Sequence, residues 1–227
     1  MLNHDLTSPT APVVRTVLER LYADTLRRDP VARRLAAGAG TTDESDPAFY
    51  HAMQDAYMPV TPDAGLLLYQ LCLAAPAGTV VEYGTSYGIS TIHLAAAVRR
   101  RGAGRVISTE LVAAKAAQAR HHLAQAQLAD LVDVRVGDAL ATLATDPPHR
   151  IGMLLLDGAK RQYLPLLRQL EPHLLPGALI VADNVAMAGA ADFVEHVLDS
   201  ANGYHAATLY TRALGEYHPL LLATLLR

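Results

Sequence analysis

What this chain lacks sets the first limits on its nature. Its 227 residues include a single cysteine, Cys72. No disulfide can form within one chain, so a reducing, cytoplasmic setting is expected. Cys72 lies in the apolar stretch Leu66-Leu67-Leu68-Tyr69-Gln70-Leu71-Cys72-Leu73 and reads as a small core residue rather than a nucleophile. Charge of one sign is missing too: the formal net charge is -3, with acids and bases mixed along the sequence. The one basic run, Arg99-Arg100-Arg101, falls near the end of an expected helix, where cations complement the helix dipole. Nucleic acid is therefore not an expected partner. No apolar run approaches the ~20 residues that span a bilayer. Met1-Leu2-Asn3-His4-Asp5 has neither the basic region nor the apolar core of a secretory signal. A soluble protein with no membrane partner is the expectation.

What is present points to one compact unit. Hydrophobic residues make up 51% and charged residues 18%, so a chain of this length can bury a substantial core. No internal repeat or second domain is visible; a helical cap over about 1–75 is expected to precede an α/β core over 78–227. Pro12 to Leu35 reads as a helix with Val14, Val17, Leu18, Leu21 and Leu26 at roughly helical spacing. The polar segment from Ala37 to Pro47 reads as a loop, and a second helix should start after Thr61-Pro62-Asp63, with Thr61 as N-cap.

From Gly78 onward, strands and helices alternate. Strands are expected at 79–83, 105–109, 132–136, 151–156 and 178–182, and helices at 89–98, 113–129, 139–144, 163–174 and 190–199. Two final strands are expected near 206–210 and 220–226. Alternation of this kind implies βαβ units, hence a mostly parallel sheet covered by helices on both faces. Continuous apolar runs such as Met153-Leu154-Leu155-Leu156 suit strands buried on both sides.

In such sheets a ligand sits outside the carboxyl ends of the strands. The first strand ends in Glu82-Tyr83-Gly84-Thr85-Ser86-Tyr87-Gly88-Ile89-Ser90, and the second in Thr109-Glu110. The third, fourth and fifth end in Gly137-Asp138-Ala139, Asp157-Gly158-Ala159-Lys160 and Asp183-Asn184. The loop glycines, Gly84 and Gly88, have three residues between them and do not make the dinucleotide fingerprint G-x-G-x-x-G. They do permit close backbone approach by a cofactor. Glu110 follows Gly88 by 22 residues, and a carboxylate there can accept both hydroxyls of a ribose.

The segment from Val81 to Ser90 resembles the first motif, E-x-G-x-x-x-G-x-S, of the class I methyltransferases. As a whole the chain resembles the small cation-dependent O-methyltransferases, the group containing the catechol and caffeoyl-CoA enzymes and their bacterial relatives. The likeness runs from about Met58 to Val194. Its most specific parts are Leu156-Asp157-Gly158-Ala159-Lys160 through Tyr163, Pro176-Gly177-Ala178 and Ala182-Asp183-Asn184-Val185.

The resemblance implies a Rossmann-like fold with a seven-stranded, mostly parallel sheet and an N-terminal helical cap. It implies S-adenosyl-L-methionine as methyl donor, S-adenosyl-L-homocysteine as product, Mg²⁺ or a similar divalent cation, a small-molecule acceptor, and a homodimer. By the same resemblance Met58, Val60 and Thr61 border the methionine part of the donor. Gly84, Ser86 and Ser90 hold its amino-acid moiety with Glu82 behind them, Glu110 takes the ribose, and Asp138 and Ala139 flank the adenine. Asp157, Asp183 and Asn184 are the implied cation ligands, and Lys160 stands beside the acceptor oxygen. Two carboxylates and an amide carbonyl form an all-oxygen site suited to Mg²⁺, and a lysine can take a proton from a phenol or pair with the phenolate.

Each residue also has a plainer reading. Asp157 and Asp183 can cap turns, Asn184 can be a turn residue, Lys160 a solvated lysine and Asp138 a helix N-cap. His93 reads as structural, and His121-His122 as surface. The sequence departs from the family at Leu214-Gly215-Glu216-Tyr217-His218-Pro219, where Glu216, Tyr217 and His218 can face an acceptor. Gly158-Ala159 replaces bulkier residues and suggests a roomier or differently walled site. Residues 1–50 match no motif. The competing functions are a metal-independent O- or N-methyltransferase, a nicotinamide-dependent oxidoreductase, and a non-catalytic adenosylmethionine-binding module.

Overall fold

The computed structural model describes residues 11–38, 47–213 and 216–226; of 212, 213, 216 and 217 only the backbone is described. Within the segment that departs from the family, Leu214, Gly215 and the side chains of Glu216 and Tyr217 therefore lie outside the described residues. Among the described residues three helices come first: α1 (Pro12–Gly38), α2 (Pro47–Ala52) and α3 (Pro62–Ala74). The alternating part follows as β1 (Thr79–Tyr83), α4 (Ile89–Arg101), β2 (Arg105–Glu110), α5 (Ala113–Gln125) and β3 (Val132–Val136). It continues with α6 (Ala139–Thr145), β4 (Ile151–Leu156), α7 (Tyr163–Leu170), β5 (Leu174–Asp183) and α8 (Ala191–Leu198). A hairpin of β6 (Tyr204–Ala213) and β7 (Glu216–Leu225) completes it.

All seven strands form one sheet in the order β3-β2-β1-β4-β5-β7-β6. The first five are parallel, and β7 runs antiparallel to both β5 and β6. The period of two is visible in which core each residue joins. Val80, Val106, Val134 and Leu155 pack on the side of α1, α3, α4 and α5. Val81, Ile107, Leu154 and Ile180 pack on the opposite side with α7 and α8. Every residue of β4 is buried, as a strand covered on both faces requires. The strand order reverses between β1 and β4, so the crevice used by ligands in such sheets opens above their carboxyl ends.

Local chemistry explains the boundaries. Thr61 caps α3 by accepting the Ala64 N–H at 3.1 Å, with Pro62 at the first turn. The Arg99–Arg101 run closes α4, which ends on left-handed Gly102 (φ 73°). Arg101 goes further: its guanidinium donates to the carbonyls of Cys72 at 3.1 Å and Gly78 at 3.2 Å, filling acceptors where α3 gives way to β1.

Several expectations shift. α1 runs to Gly38 through Pro30, and Leu26, expected on its apolar face, is 70% exposed. α5 stops at Gln125, just before Gln127 turns left-handed at φ 58°. β5 starts four residues earlier than expected, carrying Pro176-Gly177 inside it. β7 pairs Leu220 with Asp183, so its residues before 220, with the facing part of β6, overhang the carboxyl edge of β5. Among the described residues no helix is long and apolar enough to cross a membrane.

Candidate active site

The carboxyl ends of β1 and β2 are tied together by a buried acid. Glu82 is 0% exposed and accepts hydroxyl protons from Ser90 at 2.6 Å, Thr91 at 2.5 Å and Ser108 at 2.5 Å. Burial raises its carboxyl pKa, and these three bonds act against that rise. Glu82 thus anchors the first turn of α4 to both strands and stands behind the loop. Gly84 has φ 104°, and a Cβ there would lie 2.3 Å from the Asp157 carbonyl oxygen. Its missing side chain is therefore required by the adjoining end of β4, whatever approaches the loop from above.

Beyond Gly84, the Ser86 N–H donates to Glu110 Oε2 at 2.7 Å, and Ser86 Oγ donates to the Tyr57 carbonyl at 2.6 Å. Glu110 Oε1 accepts the Val112 N–H at 2.8 Å, which aims the carboxylate across the top of β2. Asp138 proves to be an N-cap: it accepts the Ala141 N–H at 3.0 Å and heads α6 with buried Ala139 behind it. Capping uses one carboxylate oxygen, and Gln162 Nε2 donates to the other at 3.3 Å.

The ends of β4 and β5 carry the second group. Lys160 is 8% exposed; its Nζ donates to the Gly158 carbonyl at 3.0 Å and lies 3.8 Å from Asp157 Oδ1. It also stands 5.3 Å from the centre of the Tyr163 ring. The plainer alternative, a solvated surface lysine, therefore does not hold for Lys160: the end of β4 holds it inside. Burial raises the Asp183 carboxyl pKa, while Lys160, the Asn184 N–H and His218 pull it back down. Asn184 has φ 55° and donates from Nδ2 to Asp183 Oδ2 at 3.1 Å, leaving its amide oxygen for another partner. A side chain at Gly158 would meet the Tyr83 ring at 2.5 Å, so this wall is aromatic rather than roomier. The Tyr83 hydroxyl accepts the Ala159 N–H at 3.1 Å and fixes the turn.

A family model described as a methyltransferase domain matches residues 81–185. The catechol O-methyltransferase of Mycobacterium tuberculosis is 36% identical over 168 residues, covering 73% of this chain and 72% of that protein. The chain belongs to the class I S-adenosylmethionine-dependent O-methyltransferases. The catechol O-methyltransferase of Niastella koreensis is 32% identical over 156 residues, 66% of this chain and 70% of the relative. Among solved structures, the O-methyltransferase TomG of Streptomyces achromogenes in complex with SAM superposes with TM-score 0.70 at 26% identity, covering 89% of this chain and 99% of that one. The methyltransferase described here thus uses S-adenosylmethionine as its methyl donor.

Several residues of this methyltransferase escaped sequence reasoning. Lys115 of α5 is 3% exposed, with Nζ 3.4 Å from Ser86 Oγ and 5.9 Å from the centre of the Tyr87 ring. Burial lowers its pKa, and Glu110, Asp29 and Asp55 oppose that fall. His122 is 3% exposed and bonds the Tyr87 carbonyl at 2.9 Å, which corrects its reading as a surface residue. The signal was in the pattern: Lys115, Ala119, His122 and Leu123 follow the i, i+4, i+7, i+8 spacing of one buried helix face. Asp29 and Tyr57, contributed by the cap, had no such signal. His93 is 1% exposed against α3 and is structural, as expected.

Apart from Met58, Val60 and Thr61, which lie between α2 and α3, the expected donor and cation residues come from adjoining strand ends and the turns that follow them, where Gly84 packs against the Asp157 carbonyl. Among the described residues no group of three or more His, Cys, Asp or Glu side chains can hold a metal. A set of two carboxylates and one amide oxygen is of a different kind and is the hard-donor type Mg²⁺ takes. The half-buried Asp183 carboxylate beside the Asn184 amide fits such an ion.

Proposed function

We propose that this enzyme methylates one hydroxyl of a small catechol-like or other vicinal-diol aromatic, assisted by a divalent cation at Asp157, Asp183 and Asn184. The observation that carries this reading is the pairing, at the adjacent ends of β4 and β5, of a buried lysine with the two aspartates. Lys160 Nζ lies 3.8 Å from Asp157 Oδ1 and is among the charges that oppose the rise in the Asp183 pKa. The catechol O-methyltransferases of N. koreensis and M. tuberculosis among its relatives support the acceptor class.

S-adenosylmethionine, when bound, supplies a methyl group on a positively charged sulfur. The protein's part is to hold it: Glu110 presents a carboxylate to the ribose hydroxyls, and Gly84, Ser86 and Ser90 face the amino-acid moiety with Glu82 bracing them. Met58, Val60 and Thr61 border the methionine chain, and Asp138 with Ala139 flanks the adenine. The cation, when bound, would acidify and orient the acceptor's paired oxygens. Lys160, fixed by the Gly158 carbonyl, pairs as an ammonium with the acceptor's oxyanion, or takes the acceptor's proton after giving up its own. Placement of the two reactants accounts for much of the rate such a site can give.

A metal-independent reading is favoured by one feature: the Lys160 ammonium already offsets part of the carboxylate charge of Asp157 and Asp183. Methyl transfer from labelled S-adenosylmethionine to a panel of dihydroxylated aromatics, run with Mg²⁺ and with EDTA, separates the two. Product only with Mg²⁺ supports the cation-assisted reaction. Product in both tubes reassigns Asp157, Asp183 and Asn184 to holding the acceptor directly, and no product with any diol would reject the acceptor class.

A further inference from the structure

The turn between α2 and α3 is held from an unexpected direction. Asp29 of α1 is 7% exposed, and its two carboxylate oxygens accept the Tyr57 N–H at 2.7 Å and the Met58 N–H at 2.9 Å. Met58 has φ 45°, a conformation that a residue with a side chain keeps only when its surroundings impose it. Charge-assisted bonds to both N–H groups are the means available here.

From Tyr57 the connection continues inward. Its carbonyl accepts Ser86 Oγ at 2.6 Å, and the Ser86 N–H reaches Glu110 at 2.7 Å. The Tyr57 ring stacks on Tyr87 at 4.0 Å with the planes 16° apart, and the Arg28 guanidinium lies 5.6 Å from its centre. Helix α1 is thereby joined to the glycine loop by a short line of hydrogen bonds: Asp29, Tyr57, Ser86, Glu110.

We propose that Asp29 is a positioning residue for donor binding. It fixes the left-handed Met58 turn against the methionine end of the donor and, through the Tyr57 carbonyl, sets Ser86 relative to Glu110. This rests on the reading of Met58, Ser86 and Glu110 as donor-site residues. Asp29 touches no donor atom itself; it acts by holding the backbone that does.

The test is binding of S-adenosylhomocysteine by calorimetry, with KM for donor and acceptor measured separately. Asp29→Asn keeps the side-chain size and one acceptor oxygen while losing the charge and one N–H bond. Its expected effect is a Kd for S-adenosylhomocysteine weaker by about ten- to a hundredfold, a matching rise in donor KM, and an unchanged acceptor KM. Val17→Ala, which loosens the packing of α1 away from the turn, should lower the melting temperature and leave that Kd alone.

Equal loss of affinity in both variants would overturn the proposal, because cap stability alone would then explain it. Glu110→Ala separates the levels. If it binds weakly while Asp29→Asn binds as wild type, the positioning role fails and the donor site stands; if it binds as wild type, the donor-site reading and the proposal fall together. Ser86→Ala cuts the line without touching α1, so the double variant should lose less than the sum of the two single losses, the Met58 turn accounting for what Asp29→Asn still adds. Additive losses would show that Asp29 does not act through Ser86.

Discussion

His93 gives the methyltransferase an acid-sensitive core whose cost can be worked out. The ring is 1% exposed, its Nε2 lies 3.4 Å from the Tyr22 hydroxyl, and its Nδ1 has no hydrogen-bond partner. It is packed so closely under α3 that a Cβ on Gly65 would stand 2.4 Å from Nε2. Burial lowers its pKa from 6.5 to about 4. Between those values the unfolded chain binds a proton that the folded chain refuses, so stability falls as pH falls through the window. At about 1.36 kcal/mol for each pH unit, the loss across it is roughly 3 kcal/mol, a large part of a typical folding free energy. Glu82 and Asp183, whose carboxyl pKa values burial raises, work in the opposite direction. They are present in every His93 variant and cancel in a comparison. Urea unfolding of wild type and His93→Gln, followed from about pH 7 to about pH 4, should give a distinctly shallower acid decline for the variant. Parallel curves would refute the argument.

Asp157→Ala should lower turnover by more than about a hundredfold and weaken Mg²⁺ binding while circular dichroism and the urea midpoint stay near wild type; an active variant would reject the cation mechanism. Gly84→Ala combines a φ of 104° with a 2.3 Å approach to the Asp157 carbonyl, so a loss of at least ~2 kcal/mol is expected by urea titration. Gly102→Ala, at φ 73° with open space around it, should cost only about 1 kcal/mol, and equal losses would show that the Asp157 contact is not the cause. Cys72 is 0% exposed and its thiol is pushed up to about 11 by burial, so a disulfide reagent should label it only in urea; rapid labelling of the native protein would contradict its place in the core.

The alternating core was legible in two ways, since β4, buried on both faces, is a contiguous apolar run while the edge strand β3 shows period-two alternation; β1, β3 and β4 have the expected bounds, and β2 gains one residue. The strand-end acids were legible for the same local reason, since the end of a strand is where its ligand-facing residues fall. β5 was less legible. Pro176-Gly177 reads as a break, yet Pro176 is exposed and sits before the ladder with β7 begins at Leu179. Residues whose roles arise only from distant packing left little trace. Asp29, in Arg27-Arg28-Asp29-Pro30, looks like one more solvated acid on a basic helix; its partners are 28 and 29 residues away. Of the two readings of Gly158, a roomier or a differently walled site, the second holds, because the space it leaves is filled by Tyr83 from another strand.

The overhanging hairpin of β6 and β7 carries a design rule within its pairing. Because strand side chains alternate between faces, the arm beyond Leu220 can be lengthened or shortened by two residues on each strand and still present the same faces. A change of one residue per strand would turn every side chain of the arm over. Exchanges beyond Leu220 leave the five parallel strands and their two cores intact. The arm is thus a replaceable canopy on a fixed platform, with two residues per strand as its natural unit of change.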